Sequence, residues 1–262
     1  MTDPLHKPTE DYTPPHANRA SVVIPCYIAH ICLALGLVVG NLLADSPAVE
    51  KSDQTSDVKL EVALTFDDGP YGEATNQILD ILKKEQVHAT FFLVGINVEK
   101  YPAITKRIVN EGHVIGNHSY SHSTSLSEMP PVAFQADVRH AENLIVSVTG
   151  LHPRYFRPPF RSHTPSMDQQ LKDMGYLVVL WDVHTKDYDQ GTSSETIVKQ
   201  IIGNTLKGPR QQIILLHDGR DVQIGYPRQN VIQALPGIIN QLKKRSYRFV
   251  TLEQIIHQAP YH

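Results

Sequence analysis

Cysteine is nearly missing from this 262-residue chain, and its two copies, Cys26 and Cys32, both sit in one apolar stretch near the N-terminus. The remainder of the chain is therefore excluded from disulfide and thiol chemistry. A block of Lys or Arg is lacking too: 24 basic and 27 acidic residues are mixed along the sequence and leave a net charge of −3. That removes the electrostatic footprint of a nucleic-acid binder. No P-loop, no GxGxxG string and no internal repeat is present, so phosphate cradles and solenoids fall away as well.

Charge of either sign is absent between Ser21 and Ala44. That run is long enough for one helical membrane crossing, which takes about 20 residues. Lys7 and Arg19 precede it and Asp45 and Glu50 follow it, so the positive-inside bias leaves the N-terminus cytoplasmic. Residues 1–20 are polar and proline-rich and are expected to be disordered. Residues 21–44 are expected to form a signal-anchor, preferred over a cleavable signal peptide because no A-x-A triplet lies near Ala44. A linker spans 45–58, and one globular domain spans 59–262, outside the cytoplasmic membrane in the periplasm or cell envelope. With 41% hydrophobic and 19% charged residues, the composition suits one domain of roughly 200 residues plus an appendage. A monomer is the expected state.

From Val58 onward short apolar runs alternate with helical patterns. Strands are predicted at Val62–Phe66, Ala89–Val94, Val114–Gly116, Arg154–Phe156, Tyr176–Trp181, Gln212–Leu216 and Arg248–Thr251. Between them, helices are predicted at Ala74–Gln86, Pro102–Glu111, Pro131–Thr149, Met167–Met174, Thr196–Leu206 and Val231–Lys244. Such alternation implies a parallel sheet with crossover helices. About seven repeats is one short of a standard closed (β/α) barrel.

Two short strings carry the chemistry: Thr65-Phe66-Asp67-Asp68-Gly69-Pro70 and Asn117-His118-Ser119-Tyr120-Ser121-His122. Taken singly, the first reads as an ordinary turn leaving a strand. The second, with histidines at i and i+4, reads as a polar stripe on a helix. Taken together they supply one carboxylate and two imidazoles for a divalent metal, with a second carboxylate left over as a base. Three ligands and one open position are what a hydrolytic zinc site requires, because the attacking water must also bind. Asp67-Asp68, His118/His122, Arg157, the Asp182–Asp187 stretch and His217 all follow predicted strand ends, the face on which barrel enzymes build their sites.

With these strings in order, the chain resembles the polysaccharide deacetylases of the NodB-homology type (carbohydrate esterase family four) over roughly Leu60 to Ile256. The resemblance implies a distorted (β/α)7 barrel and removal of N-acetyl groups from amino sugars of a glycan. It makes Asp67 the catalytic base, and Asp68, His118 and His122 the ligands of a divalent metal, zinc before cobalt or nickel. In Arg157-Pro158-Pro159-Phe160 the arginine steadies the base, and the Phe160 N–H helps hold the oxyanion. In Leu215-Leu216-His217-Asp218 it gives Leu215 as the acetate-pocket wall and His217 as general acid.

The fourth motif departs from the family pattern: His184 stands where an Asp normally orients the catalytic His, and Tyr188 replaces the Trp that walls the sugar pocket. Asp182, His184 or Asp187 is then left to orient His217. Arg161 occupies a position where the family usually has Gly, and it could narrow or charge the cleft. Trp181 is read as barrel core or pocket wall. His88, His113, His140, His152, His163 and His257 have no metal-like partners nearby in sequence and are read as surface or supporting residues. Peptidoglycan N-acetylglucosamine is the first expected substrate and chitin-like oligomers the second. A hydrolase of small non-sugar amides and a catalytically weak glycan-binding protein are the alternatives.

Overall fold

The inward and outward alternation of β1 (Glu61–Asp67) organises the molecule. In a strand successive side chains face opposite sides. Val62, Leu64 and Phe66 point out into the large apolar cluster beneath the helices, whereas Ala63 joins the smaller cluster inside the barrel. Thr65 and Asp67 continue that inner column toward the C-terminal mouth. The computed structural model describes residues 59–219 and 228–262. The predicted N-terminal tail, anchor and linker therefore lie outside the described residues. Among those described, no helix is long and apolar enough to cross a membrane.

β1 is followed by α1 (Gly72–Glu85), β2 (Thr90–Leu93), α2 (Gly95–Lys100), α3 (Pro102–Asn110) and β3 (Val114–Asn117). Then come α4 (Pro131–Thr149), β4 (Tyr155–Phe156), α5 (Pro165–Asp173), β5 (Leu177–Val178), α6 (Ser194–Thr205) and β6 (Gln211–His217). The chain finishes with α7 (Gln229–Lys243), β7 (Arg248–Phe249) and α8 (Leu252–Ile256). The strands are parallel, in the order β5-β4-β3-β2-β1-β6, with β7 paired to the start of β1. Closure comes from Val183, which bridges Ile214 of β6 after the chain has left β5. This is the expected (β/α)7 barrel, distorted at the β5–β6 seam.

Most predicted elements are found within a few residues of their predicted bounds. α2 was not predicted, being a six-residue helix with a single apolar turn. The predicted strand Tyr176–Trp181 shortens to Leu177–Val178, because the chain then crosses to bridge β6. Local chemistry explains the helix ends. Thr164 and Ser193 cap α5 and α6 by accepting from Met167 N and Thr196 N; such caps are worth about 1 kcal/mol each. Gly150 closes α4 at φ 74, where a residue without Cβ is unstrained.

Register then places the site. β1 pairs with β6 so that Thr65 faces Leu215 and Asp67 faces His217. On the other side Asp67 is level with Phe92 of β2. Gly116 of β3 lets that ring approach: a Cβ there would lie 2.4 Å from the Phe92 ring. Asp67, His217 and the Phe92 ring thus share one level at the barrel mouth.

Candidate active site

Asp67 and Asp68 are adjacent in sequence but face different partners. Asp67 ends the extended run of β1, and Asp68 turns the chain at φ 73. Close packing holds the turn: Asn97 Nδ2 donates to the Asp68 carbonyl at 2.7 Å. Gly219 backs onto the same carbonyl so closely that a Cβ would lie 1.8 Å from it.

Arg157 holds Asp67. Its side chain is fully buried, and Nη1 donates to Asp67 Oδ1 and to Thr65 Oγ1, both at 2.8 Å. Nε donates to Val179 O at 3.0 Å, and the guanidinium lies over the Phe92 ring at 4.0 Å. Burial pulls the Arg157 pKa down while Asp67 pushes it up. A charge this deeply buried is tolerable only when it is paired and its donors are used.

Asp68 faces the histidines. Its Oδ1 lies 3.0 Å from His122 Nε2 and 3.5 Å from His118 Nε2. His118 Nδ1 donates to the Arg157 carbonyl at 2.6 Å. Because a carbonyl only accepts, Nδ1 carries a proton, and Nε2 is the ring atom turned toward Asp68. The two histidines do not sit on a helix. Ser119 and His122 take φ 65 and 50, and Asn117 and Asp137 hold the loop by accepting from the N–H groups of Ser119, Tyr120 and Ser121. His122 N itself donates to Ser119 Oγ at 3.1 Å.

One ligand atom each from Asp68, His118 and His122 lies within 4.8 Å of the others, and all three residues are buried. Two imidazole nitrogens and a carboxylate oxygen converging in this way fit a divalent cation. Burial alone would raise the Asp68 carboxyl, but the bonds from His118 and His122 and the charge of His217 hold it well below the usual range. Its other oxygen is occupied as well: Arg228, itself buried, donates from Nη2 to Asp68 Oδ2 at 3.2 Å. Sequence reasoning missed Arg228, which belongs to none of the motifs.

His217 lies across the cavity. Asp187 accepts from both its Nδ1, at 3.0 Å, and its backbone N, at 2.8 Å. The three proposed partners are thereby separated. Asp182 instead accepts from Ile213 N at 2.8 Å. His184 makes no hydrogen bond to His217 among the described residues, and its imidazole lines the cavity. Burial disfavours the His217 imidazolium, but Asp187 and Asp68 outweigh it and push the pKa up to about 9. Asp218, next in the chain, was quoted in a motif but given no role. It is buried, accepts from Thr75 Oγ1 at 2.6 Å, and is raised by burial to about 7.

The cavity enclosed by these groups measures about 390 Å³. Besides the residues above, Pro158, Phe160, Trp181, Thr185, Tyr188 and Leu215 line it. Trp181 does double duty, since it also packs against the inner cluster. Tyr188 is half exposed and meets His217 edge-on, with ring centroids 5.6 Å apart. His113, read as a surface or supporting residue, is instead a core residue: its Nδ1 accepts from Ala89 N at 3.1 Å, and burial lowers its pKa to about 4.

Such a barrel mouth, with a candidate metal site beside a buried carboxylate and an imidazole, has the equipment of a metal-assisted hydrolase. Comparison with known proteins sharpens the class. The polysaccharide deacetylase family model matches residues 55–179. Over 201 residues the chain is 42% identical to a peptidoglycan-N-acetylglucosamine deacetylase of Bacillus cereus, covering 77% of this chain and 70% of that one. It is 32% identical over 208 residues to a chitin deacetylase of Colletotrichum lindemuthianum, covering 76% of this chain and 80% of that one. The crystal structure of the Bc1960 peptidoglycan N-acetylglucosamine deacetylase superposes with a TM-score of 0.72 at 39% identity, covering 78% of this chain and 91% of that one. The chain belongs to the polysaccharide deacetylase family.

Proposed function

We propose that this protein removes acetyl groups from N-acetylglucosamine units of peptidoglycan, with Asp67 as base and His217 as acid. The observation that carries this reading is the pairing of two differently held groups across one metal-fit site. Asp67 is fixed by Arg157, and His217 is fixed by Asp187.

A divalent metal bound by Asp68, His118 and His122, zinc before cobalt or nickel, would supply Lewis-acid polarisation of the amide carbonyl and a more acidic water. Asp67, held by the Arg157 guanidinium at 2.8 Å, accepts the proton of the attacking water. Its Oδ2 lies 3.8 Å from His118 Nε2, beside the ligands and not among them. The tetrahedral centre that follows carries negative charge on the former carbonyl oxygen, and the Phe160 N–H donates to it. His217 then gives its Nε2 proton to the departing amine, while Asp187 keeps the other nitrogen protonated and the ring aimed. Leu215 closes the space for the acetyl methyl, and Trp181 and Tyr188 offer faces on which sugar rings stack.

Peptidoglycan as substrate is supported by the relatives' activities and by the predicted anchor at residues 21–44, which would hold the domain in the cell envelope. The test is acetate release by the full-length protein in detergent, with zinc supplied and peptidoglycan or chitin oligomers offered. Release that requires metal and Asp67 supports the reading. Zinc binding without acetate from any glycan overturns it.

A further inference from the structure

Arg161 follows Phe160 in the third motif, where the family pattern leads to the expectation of glycine. The backbone there is what glycine adopts freely: Phe160 and Arg161 are consecutive residues at φ 56 and 57. Other residues hold such a conformation only under constraint from their surroundings, and such positions gather at functional sites. The turn has two visible effects. It sets the Phe160 ring beside His122, with centroids 4.7 Å apart, and carries the Arg161 guanidinium to 5.8 Å from the Trp181 ring centroid. Phe160 and Trp181 both line the cavity, as does His184. Arg161 thus stands at the rim.

Its charge is unclaimed. Arg157 is committed to Asp67 and Arg228 to Asp68. Among the described residues, no carboxylate lies within ion-pair distance of Arg161, and its side chain is exposed. Cation–π attraction to the indole uses none of the guanidinium's N–H donors and leaves them open to a carboxylate. His184 beside it is held below the usual histidine range, by burial first and by Arg161 in support, against the pull of Asp187. The rim therefore presents one permanent cation next to an imidazole that is mostly neutral at neutral pH.

We propose that Arg161 is a specificity-determining residue that receives a carboxylate carried by the sugar adjoining the N-acetyl group to be removed. This rests on the glycan-deacetylase reading above and narrows it. A homopolymer of N-acetylglucosamine carries no such group, whereas peptidoglycan bears lactyl and peptide carboxylates on alternate sugars. Arg161 touches no reacting atom, so it acts through substrate binding.

The test is steady-state acetate release by the full-length, zinc-loaded protein and by Arg161→Gly and Arg161→Lys. Three substrates are used: chitotetraose, a peptidoglycan tetrasaccharide with free lactyl carboxylates, and the same tetrasaccharide with those carboxylates amidated. Glycine suits the local backbone, so Arg161→Gly should fold. The expected result is a rise in KM of about three- to tenfold for the carboxylate substrate alone. Its kcat should be preserved, chitotetraose and the amide should be unaffected, and lysine should rescue in part. Equal losses on all three substrates, or no loss on the carboxylate, overturn the inference while leaving the deacetylase reading intact. Acetate from none of the three with wild-type protein overturns both.

Discussion

Asp187 grips His217 at two points, accepting from its ring at 3.0 Å and from its backbone at 2.8 Å. The carboxylate is fully buried and Asn230 Nδ2 donates to its backbone carbonyl at 2.9 Å, so ring and strand end are fixed together. This pairing helps raise the His217 pKa to about 9, against the pull of burial.

A raised pKa has a definite sign for catalysis. An acid must hold its proton, so kcat should fall as pH rises through the His217 pKa; a bound cation nearby would bring that limb below 9 by repulsion. Asp187→Asn should move the alkaline limb to lower pH and cut kcat by about 10²- to 10⁴-fold. A pH–rate profile of the variant with an unmoved alkaline limb would show that Asp187 does not tune this acid.

Asp67→Asn keeps the shape of the side chain and removes the proposed proton acceptor. Acetate release should drop by about 10²-fold or more, while zinc affinity stays within about twofold, because Asp67 is not among the three converging ligands. Titration calorimetry with zinc separates the two effects. A lost metal site would move Asp67 into the ligand set.

Arg228 occupies the Asp68 oxygen that faces away from the histidines. Arg228→Met should weaken zinc binding by about 10-fold, in the range found when groups supporting a metal ligand are removed. Competition with a chelator of known affinity reads this directly. An unchanged Kd would mean that the Asp68 rotamer is held by packing alone.

His113 is buried with its pKa lowered to about 4, mainly by burial and then by His88. A histidine depressed in the folded state favours folding above its unfolded pKa of about 6.5. That stability is lost as pH falls from there toward 4. His113→Gln retains an acceptor for Ala89 N and cannot titrate, so urea midpoints of the variant should fall less steeply across that window than those of the wild type. Parallel curves would assign the acid sensitivity elsewhere.

The rest of the site divides by the range of the forces involved. The strand and helix alternation, the order of the motifs and the Asp68–His118–His122 grouping were all legible along the chain. Periodic burial and turn chemistry are local, and motif residues at strand ends must reach the same barrel face. The histidine pair was legible as a pair but not as a loop, since Ser119 and His122 take left-handed backbone held by Asn117 and Asp137. Choosing among Asp182, His184 and Asp187 needed three dimensions. After β5 the chain crosses to bridge β6, which ties Asp182 to Ile213 and brings Asp187 under His217.

By itself, then, the sequence determined a parallel alternation of strands and helices and a set of carboxylates and imidazoles fit for a metal, which follow from residue type and spacing. The division of Asp67, Asp68 and His217 into base, ligand and acid candidates came from the resemblance to the family. Only the tertiary structure decided which charges are paired: buried Arg157 with Asp67, Arg228 with Asp68 and Asp187 with His217, while exposed Arg161 pairs with none among the described residues. Electrostatic pairing depends on distance and desolvation across residues far apart in sequence, and neither exists until the barrel closes.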